Sequence, residues 1–282
     1  MMENTAFLEK LQEAKKDIGE EVFSYAKEEF WMIERPYRYV EHFALENQYF
    51  NTALALPLSR GLHNGIYRKA KVFRNNEVYR LPYVIHCIQV CRMLIDTKIP
   101  MDDAEKDILL AAALCHDMIE DIDFEQDGRE LYTKYHLDRK VYEVVKCVSK
   151  HKHMTKEEHA AYFEGIKKNP LGLLVKLSDR GNNVEDLYNM SVRKTHEYVS
   201  ETRTYFFPMC EYAKTHYPEL GAVIEILEDK IRSFSDVAEI LVSRYEEMEQ
   251  DLLENIRTLK EENEQLLREL SDLQRRKIEG MH

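Results

Sequence analysis

The sequence predicts an all-α protein, a helical bundle with a C-terminal coiled-coil helix. Glycine and proline are scarce, at 9 and 7 of 282 residues. Long stretches place apolar residues three or four positions apart, which is typical of amphipathic helices. Charged residues make up 33% of the chain and apolar residues 44%, an ordinary balance for a globular protein of one or two domains.

Charge and composition exclude several classes of function. The net charge of −12 argues against a nucleic-acid partner, because phosphate binding needs a basic face. The longest clean apolar run, residues 108–115, is too short to span a membrane, and the N-terminus has no secretory signal. The 5 cysteines form no CxxC pair, so we expect reduced thiols in a cytoplasmic protein. An anionic small molecule remains possible if a pocket or a metal reverses the local field.

The first 95 residues are predicted to contain three helices and a hairpin. The first two helices are amphipathic and lie within residues 1–60, one over 9–30 and one around 41–46. A hairpin is expected over 71–80, where Asn75-Asn76 could form the turn between β-prone residues. Residues 82–95 read as a buried helix entered through Pro82.

Two later helices have recognisable start signals. One opens at Asp102, with Glu105 three residues on as a capping-box partner. The other opens at Asn169-Pro170, an N-cap followed by an N1 proline, and contains LGLLVKLSDRGNN. From about residue 240 to the end, the pattern predicts one long polar helix.

Residues 114–121, LCHDMIED, place a histidine and three carboxylates behind an apolar helical run. Glu120 and Asp121 stand four residues after His116 and Asp117, so all four side chains are expected to share one edge of the helix. Crowded carboxylates on a half-buried surface repel one another, and a divalent cation removes that penalty. The alternative is a helix end that emerges into solvent with its charges hydrated, and the motif alone leaves both open.

Two further polar residues favour the metal. His86 lies within the apolar segment PYVIHCIQV, and Asp179 stands four residues after Val175 on an apolar helix, so both are expected to point inward. Each alone is weak evidence. Together with HD they supply four ligands from three helices, a set suited to Mn, Fe or Zn. A metal held this way lowers the pKa of bound water.

These residues resemble the HD metal-dependent phosphohydrolases. Four segments in order, HNGIYRK, LPYVIHCIQV, LCHDMIED and VKLSDRGNNVEDL, are similar to the hydrolase domain of the RelA/SpoT homologues, and the resemblance covers about residues 45–200. It implies a small, hydrolase-only member of that group. The implied domains are a helical extension over 1–45, an HD hydrolase domain over 46–200, a helical connector over 201–240 and a coiled-coil tail over 241–282.

The resemblance also implies roles for individual residues. The metal, usually Mn²⁺, would be bound by His86, His116, Asp117 and Asp179. Glu120 and Asp121 would orient and deprotonate the attacking water. Three residues would bind the substrate: Arg68, which stacks on guanine, Lys69 beside it, and Asn183 at the nucleoside. The implied reaction is attack of water on the 3′-pyrophosphate of ppGpp or pppGpp, releasing pyrophosphate and GDP or GTP.

The sequence differs from the family's usual pattern in segments that would contact the substrate. AKVFRNNEVYRL is longer than the usual segment and makes Arg74 and Arg80 competitors for the role of Arg68. Glu185 and Asp186 put negative charge where arginine and threonine are common. Two alternatives therefore stay open. One is a phosphohydrolase for another nucleotide, such as (p)ppApp or a nucleoside 5′-phosphate, and the other is a non-catalytic nucleotide-binding coiled-coil adaptor.

The tail has a leucine-zipper pattern. Four leucines recur every seven residues: Leu252, Leu259, Leu266 and Leu273. The alternate core position holds Ile256, Asn263 and Leu270. A buried asparagine at that position favours a parallel two-stranded coil, so the pattern predicts a homodimer. A solvent-exposed helix packed on its own domain is the alternative.

Overall fold

A computed structural model describes residues 2–25, 30–74, 77–151 and 153–279. The all-α prediction is confirmed, since the described chain is helical apart from one two-stranded hairpin. The elements of the first half are α1 Met2–Ile18, α2 Phe30–Glu46, α3 Phe50–Leu62, β1 Tyr67–Arg74, β2 Glu77–Pro82, α4 Val84–Asp96, α5 Asp103–Cys115 and α6 Met118–Asp121.

The regular elements described in the second half are all helical. Its α-helices are α7 Glu130–Thr133, α8 Arg139–Val148, α9 Lys156–Lys167, α10 Pro170–Asn183, α11 Val192–Glu201, α12 Phe207–His216 and α13 Gly221–Glu279. Short 3₁₀ segments at Glu20–Phe23, Val184–Asn189 and Pro218–Leu220 and a π turn at Thr202–Phe206 connect or extend them.

The N-terminal region differs from the prediction of two helices. The helix expected over 9–30 is wrong, because α1 ends at Ile18 and Gly19 adopts a φ of 99°, a left-handed conformation that a helix cannot continue through. The helix expected around 41–46 is the end of α2. α3 was not predicted, because it is buried on nearly all sides and so lacks an amphipathic period.

Helix α5 is the centre of the core. Its residues 108–115 are all buried, and α3, α4 and α8 pack around it. Both predicted N-caps are confirmed: Asp102 Oδ1 accepts the Glu105 N–H at 2.8 Å, and Asn169 Oδ1 accepts the Gly172 N–H at 3.0 Å. The helix predicted over 82–95 is confirmed as α4, although Pro82 is the last residue of β2.

The predicted hairpin is confirmed and is longer than expected. Its strands pair antiparallel, and the register shifts between Tyr67 and Lys71. Asn75-Asn76, the predicted turn, lie outside the described residues. Arg68 lies within this irregular part of the strand, and its side chain contacts Asn183 of α10.

Helix α13 begins at Gly221, well before the expected start near residue 240. Its first half packs against α10, α11 and α12. The ion pair between His196 and Glu246 ties it to α11, and beyond residue 246 its described side chains are almost all exposed. None of the helices in the described ranges combines the length and the apolar character that a bilayer crossing requires.

Candidate metal centre and substrate cleft

Four predicted ligand residues meet at one buried point. His86 lies in α4, His116 and Asp117 lie between α5 and α6, and Asp179 lies in α10. The His86 Nε2 is 3.1 Å from Asp179 Oδ1 and 3.5 Å from Asp117 Oδ2. The His116 Nε2 is 2.9 Å from Asp117 Oδ2 and 3.7 Å from Asp179 Oδ1. Two imidazole nitrogens and two carboxylates therefore face the same small volume.

The local structure of the HD pair corrects one expectation. His116 and Asp117 form a turn, because α5 ends at Cys115 and α6 starts at Met118. The four side chains of LCHDMIED therefore do not share one helical edge. The turn directs His116 and Asp117 into the core, while Glu120 and Asp121 are exposed near the surface.

Hydrogen bonds determine which nitrogen of each imidazole faces this point. The Nδ1–H of His116 donates to the carbonyl of Ala113 at 2.9 Å, and that of His86 donates to Asn182 Oδ1 at 2.6 Å. A neutral ring with a proton on Nδ1 has its lone pair on Nε2. Both lone pairs therefore point at the carboxylates. Among the described residues, the buried His116 Nε2 makes no well-aligned hydrogen bond, although Asp117 Oδ2 lies 2.9 Å away.

The carboxylates around the two imidazole rings favour the binding of a cation. Burial lowers the pKa of His116, but the Asp117 and Asp179 carboxylates outweigh it and raise that pKa to about 10. Burial opposes the ionisation of Asp179, yet Lys176 and then the histidines hold its pKa well below the usual range. Lone pairs and carboxylates at these separations repel unless a proton or a metal ion lies between them. Neutral imidazole and carboxylate are common ligands of divalent transition metals, so the residues fit such an ion.

Two neighbours hold the carboxylates in place. The Tyr83 hydroxyl donates to Asp117 Oδ2 at 2.5 Å. Lys176, buried on α10, donates to Asp179 Oδ2 at 3.0 Å. On Asp117 the oxygen that accepts from Tyr83 also faces the rings, whereas on Asp179 the other oxygen, Oδ1, faces them.

The acidic pair is divided between two environments. Glu120 accepts the backbone N–H of Lys150 through Oε1 at 2.7 Å, and partial desolvation raises its pKa. Asp121 instead lines a cleft that Tyr83 also lines. Of the two carboxylates, Asp121 is therefore the one that belongs to the cleft wall.

This cleft, which we call the substrate cleft, has a volume of about 610 Å³, within the usual range for small-ligand sites. Its polar lining consists of Tyr67, Arg68, Tyr83, Asp121, Asn183, Asp186, Ser191 and Lys194. The Arg68 guanidinium donates to Asn183 Oδ1 at 3.1 Å and to Asp186 Oδ2 at 2.7 Å. Asn183 in turn donates to Asp179 Oδ1 at 2.5 Å, so a continuous set of hydrogen bonds runs from the cleft to the cluster.

The other predicted substrate residues have different places. Lys69 lies in β1, but its side chain is outside the described part of the chain, as is that of Arg74. Arg80 is exposed on β2. Of the three competing arginines, Arg68 is the one that the described structure places in the substrate cleft.

Comparison with known families gives one match. The family model described as HD domain matches residues 83–183, a range that contains His86, His116, Asp117 and Asp179. A search of curated proteins found no match. The HD domain indicates a metal-dependent hydrolase acting on phosphate esters, and the His/Asp cluster is its candidate metal centre.

Several residues around the HD domain's cluster were missed from sequence. Tyr83 stands three residues before His86 and Lys176 three before Asp179, which places each on the same helical side as a ligand. That spacing could have predicted that Tyr83 and Lys176 lie near the ligands. Asn182 carried no such signal, because its contact with His86 joins α10 to α4.

Proposed function

We propose that this protein hydrolyses the 3′-pyrophosphate of guanosine alarmones, converting ppGpp or pppGpp to GDP or GTP and pyrophosphate. The observation that carries the proposal is the set of hydrogen bonds that joins residues lining the substrate cleft to the cluster. Tyr83 lines the cleft and bonds to Asp117, and Asn183 bonds to both Arg68 and Asp179. A nucleotide in the cleft would therefore place a phosphate beside the candidate metal.

His86, His116, Asp117 and Asp179 would hold one divalent ion, for which Mn²⁺ is our first candidate. When bound, the ion supplies Lewis-acid polarisation of a phosphoryl oxygen. Hydrogen bonds already hold these four side chains in place. Asn182 and the Ala113 carbonyl accept from the two rings, and Tyr83 and Lys176 donate to the two carboxylates. Neutralisation of the carboxylates also explains how an acidic chain admits a polyanionic substrate.

Glu120 and Asp121 are the candidate general bases. Asp121 lines the substrate cleft, where it can accept a proton from the attacking water at hydrogen-bond distance. Glu120 has a raised pKa, which suits a group that takes up a proton near neutral pH. Because the two have different surroundings, we propose that one removes the proton and the other orients the water.

Substrate binding is assigned to Arg68, Lys69 and Asn183. Asp186 holds one edge of the Arg68 guanidinium, which leaves its flat face for stacking on a base. Asn183 is placed to reach the nucleoside. Lys194, exposed at the cleft rim with no ion pair among the described residues, adds a cation for the phosphates.

A nucleotide panel tests this function. Metal-loaded protein is incubated with ppGpp, pppGpp, their adenosine counterparts and nucleoside 5′-monophosphates, and the products are separated by chromatography. We expect pyrophosphate from the guanosine alarmones and none after chelation. Preferred cleavage of (p)ppApp, or orthophosphate released from a 5′-nucleotide, would favour a different phosphohydrolase. Nucleotide binding without turnover would favour the adaptor.

We also propose that the tail pairs two copies in parallel. The zipper leucines of α13 are about 60% exposed in a single chain: Leu252 60%, Leu259 63%, Leu266 62% and Leu273 62%. The side chains of residues 247–276 are exposed, and the described helix beyond residue 246 is about 50 Å long at 1.5 Å per residue. A second copy would cover this stripe and pair Asn263 with its equivalent.

Light scattering on the full-length chain tests the dimer. Leu259→Glu with Leu266→Glu should give a monomer whose metal content is unchanged. Glu261→Ala with Arg268→Ala, on the opposite side of the helix, is the matched control and should remain a dimer. An unsubstituted protein that is monomeric at micromolar concentration would contradict the zipper.

A further inference from the structure

The packed half of α13 lies close to the candidate metal centre. Ile231 of α13 is fully buried. A Cβ on Gly181 would lie 3.9 Å from the Cγ1 of Ile231 and 3.2 Å from the Sδ of Met93. Helix α13 therefore packs on α10 beside Gly181, immediately before Asn182.

Three polar contacts then connect α13 to His86. The Lys230 Nζ of α13 lies 2.6 Å from Glu185 Oε1. The other oxygen of Glu185 accepts a hydrogen bond from Asn182 Nδ2 at 3.2 Å. Asn182 Oδ1 accepts the Nδ1–H of His86 at 2.6 Å. Asn182 is 4% exposed, so water offers its amide little alternative to these partners.

The direction of the Asn182 amide decides whether His86 can act as a ligand. Its nitrogen faces two acceptors, Glu185 Oε2 and Gln89 Oε1, each at 3.2 Å. These acceptors hold the amide with its oxygen towards His86. The reversed amide would present N–H groups to the ring, move the ring proton to Nε2 and occupy the lone pair that faces the cluster.

We propose that Lys230, Glu185 and Asn182 are positioning residues for His86, so that α13 sets the affinity of the metal centre. Glu185 is 36% exposed at its side chain, and without Lys230 its carboxylate could turn towards water. The amide of Asn182 would then lose one of its two fixed acceptors. The inference rests on the proposed metal-dependent function and adds that the tail helix tunes it.

Metal affinity of the full-length protein is the first test, measured by competition with a chelating dye for Mn²⁺. Asn182→Leu should weaken binding by about tenfold to hundredfold, the usual effect of losing a ligand's hydrogen-bond partner. Lys230→Met should weaken it by about threefold to fivefold, the range for a partly exposed ion pair. Lys230→Arg should restore binding. Lys214→Met is the matched control, because it breaks a different ion pair of α13, to Glu228, and should leave affinity unchanged.

The second measurement does not need metal. Heteronuclear NMR of the metal-free protein follows the ring N–H of His86, whose slow exchange reports its bond to Asn182. Lys230→Met should speed that exchange, and Lys214→Met should not. Equal affinities and equal exchange in these two variants would overturn the inference. A wild-type protein that binds no divalent ion would refute the proposed function instead, and the ring signal would then decide the positioning role alone.

Discussion

Replacing Tyr83 by phenylalanine isolates one hydrogen bond of the candidate metal centre. The change removes only the hydroxyl that donates to Asp117 Oδ2 at 2.5 Å. Burial, and then the Asp117 charge, raise the pKa of Tyr83, so the hydroxyl keeps its proton and donates. The phenyl ring should keep the stacked contact with His63, whose ring centroid lies 5.3 Å away.

Two effects of Tyr83→Phe can be estimated. A hydrogen bond to a charged group contributes about 1.5–3 kcal/mol, so metal-free protein should lose roughly that much free energy of unfolding. Asp117 would also lose its fixed orientation. We therefore expect Mn²⁺ affinity to fall by about tenfold to hundredfold, or about 1.4–2.7 kcal/mol.

Urea unfolding and chelator competition measure these two effects separately. Tyr49→Phe is the matched control, because its hydroxyl donates to Asp103 Oδ1 at 2.7 Å, a tyrosine–carboxylate bond in which neither partner is a candidate ligand. Both variants should lose stability, but only Tyr83→Phe should lose metal affinity. If Tyr83→Phe binds Mn²⁺ as tightly as Tyr49→Phe does, the hydroxyl does not position Asp117 and the reasoning fails.

Three further predictions concern catalysis, substrate and pH. Glu120→Gln should keep its metal but lower kcat by about two to four decades, and an unchanged rate at full metal content would exclude Glu120 as a base. Arg68→Ala should raise KM for guanosine alarmones more than it lowers kcat, because stacking stabilises the ground state and the transition state equally. Arg80→Ala, at an exposed arginine, is its control. A larger rise in KM for Arg80→Ala would mean that Arg80 and not Arg68 stacks on the base. Burial opposes ionisation of Glu201, but Arg180 and Lys150 outweigh it and lower the pKa of Glu201 from 4.5 to about 2. That carboxylate therefore stabilises the fold above pH 4.5, and the contribution is lost as the pH falls towards 2, so Glu201→Gln should flatten the pH dependence of urea unfolding in that window.

Helix starts and ligand types could be predicted because they depend on neighbouring residues. Asp102 and Asn169 cap the helices that their sequence contexts predict, since an N-cap bonds to a backbone N–H only two or three residues away. His86 and Asp179 could be predicted to point inward from the apolar residues around them. The same local logic failed at Gly19, which ends α1, and at the HD pair, where a turn replaces an expected continuous helix.

The sequence alone determined the helical class, the capped helices and the residue types of the candidate metal centre. Only the tertiary structure decided which groups surround that centre. Asn182 meets His86 across 96 positions of sequence, and Arg68 meets Asp186 across 118. Such pairs depend on how α4, β1 and α10 pack, and packing is the sum of many weak contacts along the whole chain. A short segment specifies its own hydrogen bonds, whereas the direction of the Asn182 amide depends on elements that only the fold brings together.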